Sequence, residues 1–399
     1  MFDYKADPAA GEKRPLGIYL HIPFCRQKCL YCDFLSAPAA DGVIARYVDA
    51  LCCQIGREAK EYRDFYVRTV FFGGGTPSLL SAGQIRKIMA QIKTDFELGK
   101  DAEVTMESNP GTLDEEKLAG CRAAGINRLS IGLQSAQEKE LKALGRIHDY
   151  DTFLKNYKAA RKAGFTNINV DLMSALPGQT VEGWLDTLCK TAALSPEHIS
   201  AYSLIIEEGT PFFEYYGKKT EELPSEEEER TMYEQTQAVL KQYGYHRYEI
   251  SNYAKAGKEC LHNIGYWDRT DYVGFGLGAA SMVNNVRWKI TDSLTEYLRI
   301  FDPSEAETET GKREVQPLSV PERMEEFMFL GLRMTAGVSA GAFREQFGAG
   351  IREIYGNVLD RLEEEELILF YDDEKRLKLT PRGIDVSNYV LAQFLLEEE

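Results

Sequence analysis

The stretch LGIYLHIPFCRQKCLYCDF (residues 16–34) joins an apolar strand pattern to a loop that carries three cysteines, Cys25, Cys29 and Cys32. The apolar, partly β-branched residues 16–22 predict a buried β-strand. Structural zinc sites and iron–sulfur clusters usually take four protein ligands. Phe34 stands where a fourth thiol would be expected. The first question is therefore what three thiols bind at the end of a strand.

The spacing Cys-x3-Cys-x2-Cys has three interpretations. A zinc site would need a fourth ligand from elsewhere, for which His21 and His262 are candidates. Redox thiols would need a Cys-x2-Cys pair, which Cys29 and Cys32 form. A [4Fe–4S] cluster held through three irons would leave the fourth iron open for a small molecule, as a catalytic metal centre leaves one position open. The position of the loop after a first strand favours the cluster.

Six short segments along the first 210 residues are apolar and rich in β-branched or aromatic side chains, and amphipathic stretches with helical spacing lie between them. The segments are LGIYLHI from 16, VRTVFFGGG from 67, EVTMES from 103, RLSIGLQS from 128, NINVDLMSA from 167 and HISAYSLIIEEG from 198. Strands that alternate with helices predict parallel βαβ units. Six units in a row predict an α/β fold with a curved sheet or partial barrel, and a doubly wound sheet is the alternative.

A distinctive polar or glycine-rich loop follows each predicted strand. The loops include the cysteine loop, GGGTPS (73–78), ESNPGT (107–112), DLMSALPGQ (171–179) and EEGTPF (207–212). In a parallel barrel these loops open on one rim, where active sites are built. The pattern therefore predicts a single site on that rim.

Composition limits the class of protein. The chain has 399 residues, enough for two domains, and a net charge of −16 with a pI near 5.0. An acidic surface argues against nucleic acid as the main partner. No apolar run reaches the ~20 residues of a transmembrane helix, and the polar first residues lack a secretory pattern. We expect a cytoplasmic protein with reduced thiols, in which the five scattered cysteines are buried.

The character of the sequence changes after residue 212. Residues 304–323 are polar with two prolines and predict a linker, and from 322 helical stretches precede a strand–turn–strand pattern around DDEK. These elements predict a smaller α+β, winged-helix-like C-terminal domain, whose net charge of −8 disfavours DNA binding. The expected division is a polar tail (1–15), a barrel (16–250), a segment with HNIGYW and the linker (251–321), and the C-terminal domain (322–399).

The motifs resemble those of a known family. CRQKCLYC is similar to the cluster-binding signature of the radical S-adenosylmethionine (SAM) superfamily, which implies a partial (β/α)6 barrel and SAM chelating the fourth iron through its amino and carboxylate groups. The segments IYLHIPFC, FFGGGTPSLL, ESNPGT, NRLSIGLQS, VDLMSALPGQT and YEISNYAKAG resemble the branch that contains oxygen-independent coproporphyrinogen III dehydrogenase and the heme chaperone family HemW.

The resemblance implies that Cys25, Cys29 and Cys32 hold the cluster. It also implies a set of SAM contacts: Tyr19, Phe34, Gly74, Gly75, Thr76, Glu107, Gln134, Arg146 and Asp171. Their chemistry is suitable, because glycines let the main chain approach a ligand and carboxylates accept hydrogen bonds from amino or hydroxyl groups. For Arg146 a surface ion pair is the competing interpretation, and for the glycines an ordinary turn.

Two features separate the members of the branch. The dehydrogenase has a fourth cysteine where Phe34 stands, and a longer N-terminal extension than the 15 residues here. The chaperone type has Phe at that position and the motif His-Asn-x-x-Tyr-Trp, matched by His262, Asn263, Tyr266 and Trp267. An imidazole can ligate heme iron and aromatic rings offer flat apolar faces, so His262, Tyr266 and Trp267 are expected heme contacts, with a structural loop as the alternative.

The resemblance therefore implies a heme chaperone that carries a [4Fe–4S] cluster with exchangeable SAM and delivers heme to an unidentified acceptor protein. A reductant for the cluster and a monomer or dimer are also expected, and reductive SAM cleavage is left open, with no catalytic residue assigned. The main alternative is the dehydrogenase, which decarboxylates coproporphyrinogen III oxidatively in heme biosynthesis. A zinc-stabilised binding protein is the third.

Overall fold

Six parallel strands form the centre of the molecule. The computed structural model of the protein describes residues 13–304 and 309–396. The strands are β1 (Arg14–Ile22), β2 (Phe65–Gly74), β3 (Leu98–Ser108), β4 (Arg128–Gln134), β5 (Ile168–Ser174) and β6 (His198–Ser203). Each pairs in parallel with the next in chain order. This order confirms the predicted partial (β/α)6 barrel and excludes the doubly wound alternative, in which the strand order reverses.

Helices cover the outer face of this sheet. They are α1 (Asp41–Glu58), α2 (Ala82–Asp95), α3 (Glu115–Ala124), α4 (Glu138–Ala143), α5 (Tyr150–Lys162), α6 (Val181–Ala193) and α8 (Glu226–Gln242), with 3₁₀ turns at Ala59–Tyr62, Pro77–Leu79 and Thr220–Glu222. The short helix α7 (Pro211–Tyr216) lies against the cysteine loop, where the Phe212 amide donates to the Leu30 carbonyl. The sequence of β1 explains why one face is covered by helices and the other is not. Leu16, Ile18 and Leu20 point into the core beneath the helices, while Tyr19 and His21 point to the other face. That other face is the barrel lumen.

Short strands extend the sheet at both edges. They are β7 (His246–Arg247) and β8 (Asn252–Ala254) beyond β6, and, after helix α9 (Leu261–Trp267), β9 (Tyr272–Phe275), β10 (Ala280–Val283), β11 (Val286–Ile290) and β12 (Lys312–Pro317) beyond β1, with α10 (Leu294–Ile300) before β12. Residues 304–323, which the sequence predicts as a linker, thus include a strand. Strand β12 is mostly exposed and is the edge strand of the described sheet, next to β11, so it lacks the apolar pattern of a buried strand.

The C-terminal part has its own core. Its elements are α11 (Val320–Gly331), β13 (Val338–Ser339), α12 (Ala340–Phe347), α13 (Ile351–Glu364), β14 (Ile368–Tyr371), β15 (Arg376–Leu379), α14 (Pro381–Asp385) and α15 (Ser387–Ala392). The three strands form a small antiparallel sheet, and Met328, Phe343, Leu359 and Leu377 are fully buried around it. This is the predicted α+β domain of helices and a hairpin. The exact domain boundaries stay a prediction, and residues 1–12 of the expected tail lie outside the described residues.

A buried ion cluster joins the two parts. The Glu326 carboxylate on α11 accepts from Arg269 Nε at 3.0 Å and from Arg287 Nη2 at 2.8 Å. Arg269 follows α9, and Arg287 lies on β11. The C-terminal domain is therefore anchored to the segment between α9 and the sheet edge. Across residues 13–304 and 309–396, none of the helices combines the length and apolarity that crossing a membrane requires.

Candidate cofactor site on the barrel rim

The cysteine loop leaves the carboxyl end of β1 and is closed at its base. The Cys25 amide donates to the Ala37 carbonyl at 3.2 Å, which brings the two ends of the loop together. Phe24 is buried edge-on against the Tyr47 ring at 5.1 Å, and the Tyr47 hydroxyl donates to the His21 carbonyl at 2.7 Å. The loop is thus fixed to α1, and it presents Cys25, Cys29 and Cys32 as half-buried free thiols.

Hydrogen-bond donors from two other loops reach the cysteine sulfurs. Thr76 Oγ1 donates to Cys25 Sγ at 3.5 Å, and Arg146 Nη1 donates to Cys29 Sγ at 3.4 Å. Asn109 connects these donors: its Nδ2 donates to Thr76 Oγ1 at 2.9 Å, and its Oδ1 accepts from Arg146 Nη2 at 2.6 Å. Donors aimed at sulfur stabilise the negative charge of metal-bound thiolates.

The contacts of Arg146 argue against a surface ion pair, and its SAM contact stays a prediction. Its Nη2 also donates to the Gly132 carbonyl at 2.8 Å, so within the described residues the guanidinium contacts a sulfur, an amide and a carbonyl and not a surface carboxylate. The sequence alone does not assign a role to Asn109. Its place within ESNPGT (107–112), the rim loop of β3, is the available signal, but its bridging role depends on two other loops.

Two glycines at the end of β2 and in the loop after it cannot be replaced by larger residues, because of close packing and, at Gly74, because of the backbone conformation. Gly74 has a φ of +106°, and a Cβ there would lie 2.6 Å from the His21 ring. A Cβ on Gly75 would lie 2.6 Å from the Phe24 carbonyl oxygen. The absence of side chains lets the Gly74 amide point inward and donate to Glu107 Oε2 at 3.2 Å. The predicted SAM residues Gly74, Thr76 and Glu107 are therefore brought together.

Glu107 has an unusual carboxyl group. It is surrounded by the barrel, although part of its surface faces the lumen. Burial, together with the charge of nearby Asp171, raises its pKa to about 8, against the opposing effects of the Gly74 amide and Arg128. A carboxyl in this setting holds a proton at neutral pH until a cation arrives beside it. Once ionised, it can accept hydrogen bonds from the N–H groups of a ligand.

Asp171 and Gln134 complete the upper lumen. Asp171 accepts from Ser130 Oγ and from Asn169 Nδ2, both at 2.7 Å. Burial raises the pKa of Asp171, and these hydrogen bonds oppose the rise. Gln134 ends β4 with a φ of +70°, a conformation that costs free energy for a non-glycine residue and is found at functional sites. Asp171 lines the lumen, whereas the Gln134 amide lies beside Gly132, close to Asn109 and Arg146; their nucleoside contacts stay a prediction.

A polar cavity of about 220 Å³ occupies the lumen. Its wall is formed by residues of all six parallel strands and of α9, namely Tyr19, Phe71, Glu107, Arg128, Ser130, Asn169, Asp171, Ser200, Tyr202, His262, Asn263 and Tyr266. Three of the predicted SAM residues, Tyr19, Glu107 and Asp171, thus share one wall with His262. Arg128, at 2% exposure, was not identified from the sequence, because an arginine at the start of an apolar strand segment reads as an exposed strand end.

The HNIGYW motif lies in α9. The His262 ring is close to Gly17, near the start of β1, so α9 lies at the end of the lumen opposite the cysteine loop. Both ring nitrogens of His262 have partners: Nδ1 bonds Thr69 Oγ1 at 2.8 Å, and Nε2 bonds Tyr266 Oη at 3.0 Å. Burial lowers the pKa of His262 to about 3, so the ring is neutral. This geometry favours a structural role for the histidine.

The three expected heme contacts do not converge. His262 and Tyr266 face the lumen, whereas the Trp267 ring packs against the C-terminal domain, with the Arg333 guanidinium 4.3 Å above its centre.

Phe34 lies apart from the other predicted SAM residues. Its side chain is 62% exposed, and its carbonyl accepts from Lys28 Nζ at 2.9 Å. A SAM contact through Phe34 would therefore use its backbone or the outer side of the loop.

The zinc interpretation finds no support in the geometry. Within the described ranges, no three His, Cys, Asp or Glu side chains converge on a single ion. His21, a proposed fourth ligand, bonds the Leu35 carbonyl through Nε2 at 2.9 Å and Tyr19 Oη through Nδ1 at 3.1 Å. A [4Fe–4S] cluster differs from zinc in that its cysteines each bind a different iron and need not converge on one point.

Comparisons with known proteins agree with this site. The family profile for the radical SAM superfamily matches residues 19–188, and the profile for the HemN C-terminal domain matches 318–386. Heme chaperone HemW of Bacillus subtilis is 37% identical over 95% of this chain and 99% of its own, and heme chaperone HemW of Lactococcus lactis is 35% identical over 97% and 99%.

The solved structure of coproporphyrinogen III oxidase (HemN) from Escherichia coli, described as a radical SAM enzyme, superposes with a TM-score of 0.83. It is 24% identical and covers 96% of this chain and 90% of that one, which confirms the fold alone. The barrel, the three-cysteine loop and the full-length similarity to the chaperones lead to one conclusion: the chain belongs to the HemW family within the radical SAM superfamily.

Proposed function

We propose that this protein is a heme chaperone that carries a [4Fe–4S] cluster with exchangeable SAM and transfers heme to an acceptor protein. The observation that carries the proposal is the set of three free thiols on the rim, with Thr76 and Arg146 donating to two of them, in a chain of the HemW family. A cytoplasmic location, an external reductant and an unidentified acceptor complete the proposal.

The residues fit these groups. Cys25, Cys29 and Cys32 would hold three irons, and the fourth iron would remain available to the amino and carboxylate groups of SAM. When bound and reduced, such a cluster supplies an electron for reductive cleavage of SAM. Thr76 and Arg146 would hold the cysteine sulfurs in place by hydrogen bonding.

The lumen residues would orient the rest of SAM. The Glu107 carboxylate would accept from an N–H of the iron-bound amino group, for which it first has to lose the proton that burial favours. Asp171, held by Ser130 and Asn169, would accept from a ribose hydroxyl. Tyr19, Gly75, Gln134 and Phe34 remain proposed SAM contacts, each at a strand end or loop of the rim.

The cluster is tested by anaerobic reconstitution of wild type and of a Cys29→Ser variant. We expect about four irons and four acid-labile sulfides per wild-type chain, which is the composition of one such cluster, and a strong loss in the variant. Cys189→Ser, at a half-buried thiol on α6, is the matched control and should load normally. Equal loading of all three proteins would contradict the assignment.

The chaperone role is tested by hemin titration and by transfer to an apo-hemoprotein. Saturable binding near one heme per chain, followed by transfer, is expected. A parallel incubation with SAM, reductant and coproporphyrinogen III tests the alternative. Formation of a vinyl product would establish the dehydrogenase activity in place of the chaperone.

A further inference from the structure

The lumen offers no room for heme. Its cavity of about 220 Å³ is smaller than the ~300–1,000 Å³ of pockets that enclose drug-sized ligands, and it is lined by polar groups. His262 cannot reach an iron without breaking its bonds to Thr69 and Tyr266. If the proposed function is correct, heme has to bind elsewhere.

An exposed apolar surface lies on the rim beside the cysteine loop. We define the rim patch as Leu30, Ile147, Ile205, Phe213 and Tyr215. Ile147 and Ile205 are 61% and 68% exposed, and the other three members are also exposed. Large apolar side chains in water, when grouped, mark binding surfaces.

The loops that carry the patch are joined by main-chain hydrogen bonds. The Leu30 amide donates to the Leu144 carbonyl at 3.3 Å, and the Phe212 amide donates to the Leu30 carbonyl at 3.1 Å. Leu144, Phe212 and Leu176 form a small buried core directly beneath. The cysteine loop, the loop after β4 and helix α7 therefore present one supported surface.

The patch suits a flat, apolar ligand that bears carboxylates. Phe213 and Tyr215 on α7 offer aromatic faces, and Tyr215 has a phenol oxygen, a type of axial ligand known for heme iron. Lys219 Nζ lies 4.4 Å from the centre of the Tyr215 ring, next to the exposed Lys218. Acidic residues also surround the patch, namely Glu207, Glu208, Glu214, Glu221 and Glu222. Lys218 and Lys219 are the positive charges next to the α7 aromatic rings, and the propionates would have to lie on their side.

We propose that heme docks on the rim patch, with its macrocycle on Leu30, Ile147, Ile205 and the α7 aromatic rings and its propionates toward Lys218 and Lys219. This inference rests on the proposed chaperone function and places heme beside the cluster loop, away from HNIGYW. A heme held at the surface is also accessible to an acceptor, which a heme enclosed in the barrel would not be.

The test is hemin titration of cluster-loaded full-length protein. An Ile205→Glu/Phe213→Glu double variant should bind hemin at least about tenfold more weakly, because two apolar contacts are replaced by charge. Lys218→Glu/Lys219→Glu should also weaken binding. Val315→Glu, at an equally exposed valine on β12, and His262→Asn should stay within about twofold of wild type. Circular dichroism and iron content verify that each variant is folded and loaded.

The outcomes are distinct. Failure of wild type to bind hemin overturns the chaperone function together with this inference. Normal binding by the Ile205/Phe213 variant overturns the rim site alone, as does loss of binding in folded His262→Asn. If the rim variant binds hemin normally but fails to transfer it, the patch is an acceptor surface and the inference is likewise wrong.

Discussion

Replacement of Glu107 by glutamine should change how the stability of the protein depends on pH. The Glu107 carboxyl lies in the lumen with its pKa raised from 4.5 to about 8, chiefly by burial. In the unfolded chain the same group ionises near its ordinary value. Between these two values the folded state binds a proton that the unfolded state does not, so stability falls as pH rises. Glutamine keeps an acceptor for the Gly74 amide but cannot ionise.

The magnitude follows from the two pKa values. From pH 6 to pH 9 the folded wild type has to release almost one proton through a pKa of about 8, which corresponds to a loss of about 3 kcal/mol in the free energy of unfolding. Because part of the carboxyl faces the lumen, where water screens its charge, this figure is an upper value. The glutamine variant should not show this loss, and it should be the more stable protein at pH 9.

The assay is urea unfolding of cluster-free wild type and Glu107→Gln at pH 6, 7, 8 and 9. Glu208→Gln, at an exposed carboxylate, is the control and should parallel wild type. A second measurement uses the same proteins with a loaded cluster. The affinity of wild type for SAM should increase from pH 6 to pH 8, since the SAM amino group has to be unprotonated to bind iron and Glu107 has to be ionised to accept from its N–H groups. Parallel stability curves for wild type and Glu107→Gln would refute the reasoning.

Two further perturbations test the sulfur donors and the domain contact. Arg146→Lys keeps the charge but loses the planar guanidinium that reaches both Cys29 and Asn109. The midpoint potential of the cluster should therefore fall by tens of mV, on the order expected for lost hydrogen bonds to sulfur. An unchanged potential, in a redox titration followed by electron paramagnetic resonance, would contradict this role. Glu326→Gln removes the carboxylate from the buried Arg269 and should lower the free energy of unfolding by about 3 kcal/mol or more. A melting temperature equal to that of the control Glu325→Gln would show that the ion pair contributes nothing to stability.

The central fold was predictable because its signals are local. Each of the six strands is a short apolar run, and a parallel strand brings its following loop to the same rim whatever the details of the helices. Cys25, Thr76 and Arg146 belong to three different loops, each of which follows a parallel strand, so all three are expected at one edge. In the structure Thr76 contacts Cys25, and Asn109 contacts both Thr76 and Arg146.

The parts of the structure that the sequence does not predict depend on contacts between residues far apart in the chain. Strand β12 is stabilised by pairing with β11 along an exposed edge, so its polar sequence reads as a linker. Arg128 is buried although its segment gives no sign of a lumen charge, and the cavity that it lines is made by strands distant in sequence. His262 and Trp267 belong to one motif and are therefore expected to share a ligand, but they lie five residues apart on a helix, so their side chains point in different directions.

Helix α9 is best understood as a structural link between the lumen and the C-terminal domain. The Glu103 carboxylate on β3 accepts from the amides of Leu261 and His262, each at 3.2 Å, and so satisfies the first N–H groups of the helix, which have no partner within it. At the other end Trp267 packs under Arg333. A displacement of the C-terminal domain would therefore be transmitted to His262 and the lumen wall. A motif that holds both ends of this helix has a physical role without any contact to heme.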